Sequence, residues 1–77
     1  MTHVFNDTRA LAQRLADAGF AGHAEQLLAA TSEGATGTEI FMILRSRLSS
    51  VIDDGSVPPH YKNDAEGLRE IVAHALK

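Results

Sequence analysis

The sequence predicts an all-α protein, a compact four-helix bundle-like domain with short connections. Three observations lead there. Apolar residues recur at helical spacing along the chain, and no strand-like alternation lasts more than a few residues. The two prolines, Pro58 and Pro59, stand side by side in one connector. Five of the six glycines fall at or near the proposed helix boundaries, where the chain must turn.

The first helix is expected over residues 7–18. Asn6 is its predicted N-cap, because its side-chain oxygen can accept an orphan backbone N–H. Leu11, Leu15 and Ala18 make one apolar stripe at i, i+4 and i+7. Gly19 then supplies the left-handed residue that ends a helix, and Phe20 follows where a Schellman ending brings it against Leu15. The second helix is expected over 23–32, with Ala24, Leu27, Leu28 and Thr31 on its inner face and Gly34 as its left-handed stop. The short connector between these helices makes them an antiparallel hairpin.

The third helix, 37–54, opens with Thr36 and Glu39 at capping-box spacing, and Ala35 with Ile40 forms a weak hydrophobic staple. At about 100° per residue, Ile40, Phe41, Leu44, Leu48, Val51 and Ile52 share an arc of about 120°. This is the central core helix, and Gly55 ends it. The fourth, 59–76, carries Tyr61, Ala65, Leu68, Ile71, Val72, Ala75 and Leu76 on its apolar face. Asn63 and Glu66 have capping-box spacing, but the stripe continues upstream to Pro59, an accepted first-turn position.

Composition bounds the function. The 77 residues, taken as a single domain 1–77, bury about 60% of the surface the unfolded chain exposes, which leaves little room for a deep pocket beside a core. There is no cysteine, so neither a disulfide framework nor a thiolate metal site is available. The N-terminal segment lacks a basic region followed by an apolar run, and the longest apolar run, Ile40 to Leu44, is far too short for a bilayer, so a cytoplasmic location is expected. The formal net charge of −3 argues against generic nucleic-acid binding.

The segment GATGTEIFMILRSRL, residues 34–48, admits three readings. A phosphate-cradling loop requires a preceding strand and a following Lys; here a helix precedes and Glu39 would repel phosphate. A DNA-reading helix requires polar side chains in its first turns, whereas the third helix presents Ile40, Phe41, Met42 and Ile43; the second exposes His23, Glu25 and Gln26, without Arg or Lys. The third reading is a partner or self-association surface. Met42 and Ile43 lie outside the main apolar arc, beside Arg45 and Ser46. The competing expectation is that the fourth helix covers them.

The titratable residues suggest no chemistry. His3, His23, His60 and His74 form no His-x-x-x-His pair, and the i, i+4 pairs His60–Asp64 and Glu70–His74 read as surface ion pairs. No metal and no cofactor is expected. Asp53 and Asp54 diverge by about 100° on a helix and make no general acid–base pair. They read as a polar helix exit or as an acidic patch for a basic partner, with Glu33 and Glu66 as candidate additions. Arg47, at the margin of the apolar arc, either snorkels or bridges a carboxylate on a neighbouring helix. Gly67 interrupts the fourth helix, and the favoured explanation is close approach of another backbone.

The segment GATGTEIFMILRSRL, preceded by LAQRLADAGFAGHAEQLL, resembles small uncharacterised bacterial helical proteins in which a Gly-Thr-Glu turn leads into an apolar helix with an arginine. The resemblance covers about half the chain and implies an immunity or regulatory role, with no functional residue to transfer. The expectation is therefore a non-enzymatic protein–protein interaction module, regulatory or immunity-like, able to form a weak homodimer. The alternative is a nucleic-acid-binding helical domain of a transcription regulator.

Overall fold

The computed structural model describes residues 3–34 and 36–76, and they form four helices: α1 (Val4–Asp17), α2 (Ala21–Glu33), α3 (Gly37–Asp53) and α4 (Pro59–Ala75). No strand occurs among the described residues. Each helix packs on its neighbours in chain order, and α4 closes the ring against α1. The core lies between them, built from Leu11 and Leu15 of α1, Leu27 of α2, Leu44, Leu48 and Val51 of α3, and Leu68 and Val72 of α4. Buried alanines at Ala12, Ala24, Ala30 and Ala65 let the helices approach. The radius of gyration, 11.3 Å, is that of a compact chain this long.

Two predicted ends are present. Gly19 has φ +95°, its N–H donates to the Ala16 carbonyl, and the Phe20 N–H donates to the Leu15 carbonyl at 2.8 Å. Those two bonds are the Schellman pattern. Thr36 caps α3, its hydroxyl oxygen accepting from the Glu39 N–H at 3.2 Å. Ala35, the expected staple partner of Ile40, lies outside the described residues.

Other expectations need correction. α1 starts at Val4, not after Asn6, because buried Val4 and Thr8 carry the inner stripe one turn further upstream; Asn6 instead accepts a hydrogen bond from Arg9. Gly34 is not left-handed: at φ −80° and ψ 147° it is extended. What needs glycine there is space, because a Cβ would lie 2.6 Å from the Ile40 backbone nitrogen. Gly67 shows the reverse, with nothing within 4 Å of an added Cβ, so no backbone approaches it. Asn63 is no cap, since α4 starts a full turn earlier with Pro59 in its first turn. Leu28 and Ile71, assigned to inner faces, are 43% and 41% exposed. Each helix touches two neighbours over only part of its circumference, and these residues fall at the margin.

The α3–α4 connector is held by Asp54. Its Oδ1 accepts from the Ser56 N–H at 2.9 Å, and its carbonyl accepts from the Val57 N–H, which seats Val57 in the core.

Candidate functional site

Consecutive helical residues point about 100° apart, and this separates the two apolar residues expected to share a surface. Ile43 does not stand with Met42. It turns to the α2 side of α3, the side of Arg47 and Ser50, and packs half-buried against the core. Met42 turns to the α4 side and is 53% exposed, the most exposed large apolar side chain among the described residues.

Met42 stands in a shallow, open groove of about 360 Å³ between α3 and α4. Arg45, Ser46 and Ser49 of α3 form one wall; Arg69, Glu70 and Ala73 of α4 form the other. The spacing has a simple origin. Met42, Arg45, Ser46 and Ser49 recur at i, i+3, i+4 and i+7 on one flank of α3, and Arg69, Glu70 and Ala73 do the same at i, i+1 and i+4 on α4. The Ser49 hydroxyl donates to the Arg45 carbonyl at 2.9 Å and accepts from Arg69 Nη1 at 3.4 Å, linking the walls.

The arginines of this groove differ from the other three. Arg9 donates to Asn6, Arg14 is paired with Asp64, and Arg47 reaches Glu33 at 3.9 Å. Arg14 also lies over the Tyr61 ring, 5.5 Å from its centroid. Arg45 and Arg69 have no carboxylate partner among the described residues. A chain with more acids than bases thus holds, on one groove, two guanidinium groups without an ion pair among the described residues, beside the exposed Met42. Arg45 and Ser46 were expected at a partner surface. Arg69 was not, because only the packing of α4 on α3 brings it there.

The other expected groups lie elsewhere. Asp54 is not a free member of an acidic pair with Asp53: His23 Nε2–H donates to its Oδ2 at 2.7 Å, tying the start of α2 to the end of α3. That bond, followed by the Ser56 backbone bond, lowers the Asp54 carboxyl below the usual range. Asp53 and Glu66 are exposed. Glu33, engaged with Arg47, is at the opposite end of α3 from Asp53, so these acids do not form one patch. Asp64 faces Arg14 rather than His60, whose ring lies against Tyr61 with centroids 3.9 Å apart. Among the described residues, no group of three His, Asp or Glu side chains is placed to hold a metal ion.

Comparison with known protein families, with curated proteins and with solved structures finds no match. No helix among the described residues is long and apolar enough to cross a membrane.

Proposed function

We propose that this chain is a small protein-binding module, regulatory or immunity-like, that acts by contact rather than by catalysis and docks its partner on the α3–α4 groove. One observation carries the reading: Met42 is half-exposed in a groove that also holds two arginines without a carboxylate partner among the described residues. Methionine and arginine are both enriched where proteins meet, methionine for its adaptable apolar surface and arginine for its rigid fork of donors. The groove's shape supports the same conclusion. It is open along its length, whereas a small-molecule site encloses most of its ligand.

The test is a photo-crosslinking amino acid placed at Met42, with one at Leu28 on α2 as the comparison, in cells that make the protein. The reading expects one protein to be joined through position 42, to be lost when Arg45 and Arg69 are both changed to glutamate, and not to be joined through position 28. Joining through position 28 alone, or through neither position, overturns the reading.

A further inference from the structure

We infer that the occupant of the α3–α4 groove is an acidic amphipathic segment of another protein, in which an apolar side chain is accompanied by carboxylates. This rests on the groove being the docking face, and it adds the chemistry of the partner. Arg45 and Arg69 come from opposite walls, so a segment lying along the groove meets a guanidinium group from each helix. Carboxylates are their natural complement, since a guanidinium fork can hold both oxygens at once. Ser49 already receives Arg69 Nη1, which draws that side chain across the groove. Met42 and Ala73 supply an apolar surface for one anchor beside the charged contacts.

Charge decides against the other occupants. A second copy on a twofold axis sets the same patch against itself. Each patch holds two arginines and one glutamate, Glu70, so pairing two copies would leave an excess of positive charge in the interface. Ile43, which a dimer patch was expected to bury with Met42, is already packed on the core. A nucleic acid binds through a run of phosphate contacts, and this groove offers two arginines and no lysine.

The experiment is an NMR titration of isotope-labelled protein with three probes. The first is a short helix-forming peptide with leucine along one face and glutamate beside it. The second is the same peptide with glutamine for every glutamate. The third is a short DNA duplex. The expected result is that the glutamate peptide shifts the amides of Met42, Arg45, Ser49 and Arg69, that the glutamine peptide binds about tenfold more weakly or worse, and that an Arg45→Gln, Arg69→Gln variant loses the difference. Equal binding of both peptides in the groove overturns the acidic partner while leaving the docking face standing. Shifts confined to another face, or none, overturn both. Groove shifts with the duplex instead of the peptide, or shifts that grow with protein concentration alone, assign the groove to nucleic acid or to a second copy and overturn the inference.

Discussion

Replacing Gly34 with alanine adds one methyl group at the turn between α2 and α3, and the same change at Gly67 adds one on α4; the two should act in opposite directions. At Gly34 the new Cβ would sit 2.6 Å from the Ile40 nitrogen and 2.8 Å from its Cγ1, where ordinary contact begins at 3.4 Å. The nearest atom is backbone, so the start of α3 must move. Overpacking of this kind costs about 1–3 kcal/mol. The backbone itself is one alanine adopts, φ −80° and ψ 147°, so the loss is offset by about 0.4–1 kcal/mol from a stiffer unfolded chain. The net expectation is a loss of about 1–2 kcal/mol. At Gly67 a Cβ meets nothing within 4 Å, and the position lies inside α4. Alanine there should gain about 1 kcal/mol from helix propensity alone. For a domain of this size each kcal/mol moves the melting temperature by about 4–8 °C. Thermal melts followed by helical circular dichroism should therefore separate the two variants by at least about 8 °C, with wild type between them. If Gly34→Ala melts at or above wild type, the α2–α3 turn is not packed on Ile40 as described. If Gly67→Ala gains nothing, the open face at Gly67 is occupied.

The remaining predictions concern single groups. Thr8 is fully buried in α1 and its hydroxyl has no hydrogen-bond partner among the described residues, so the near-isosteric Thr8→Val should raise stability by about 1 kcal/mol; a lower denaturation midpoint would show that the hydroxyl is satisfied. Leu44→Ala and Leu48→Ala each remove a side chain with no exposed surface and should cost about 2–5 kcal/mol, enough to unfold a marginal domain; a wild-type melt for either would refute the core assignment. Asp54 has a lowered carboxyl pKa in the fold, so the unfolded chain takes up its proton first as pH falls. Its contribution is complete above the unfolded value near 3.8 and is lost as pH drops through the lower folded value. Urea midpoints measured across that window should fall less in Asp54→Asn than in wild type, and identical slopes would contradict the role of the His23 bond.

Local signals were legible where a few adjacent residues decide the outcome. Gly19 followed by Phe20 gave the Schellman ending of α1, and Thr36 three residues before Glu39 gave the cap of α3. The helix starts that misled were those where a polar residue hid an inner position. Thr8 is buried, so the stripe Val4, Thr8, Leu11, Leu15 looked broken and Asn6 looked like the cap. Glycine was ambiguous for a different reason. Gly34 and Gly67 have the same lack of side chain, and only the neighbour's backbone says which one needs it. The α3–α4 groove was half legible: Met42, Arg45 and Ser46 share a flank that sequence spacing reveals. Arg69 and Ala73 join them through the packing of α3 on α4, and no local pattern encodes that juxtaposition. Ile43 is packed against the core because α3 has neighbours on both sides, α2 and α4, which widens the arc it buries.

The account stands most directly on a charge swap across the groove. The Arg45→Glu, Arg69→Glu double variant is first shown by circular dichroism to keep its helices, since neither arginine has an ion pair to lose within the described chain. Binding of the leucine–glutamate peptide and of its lysine counterpart is then measured by titration calorimetry for wild type and variant. The prediction is inversion: wild type prefers the glutamate peptide, and the folded variant prefers the lysine peptide, each by about tenfold or more. A folded variant that still prefers the glutamate peptide would contradict the assignment of the α3–α4 groove as the place where this protein meets its partner.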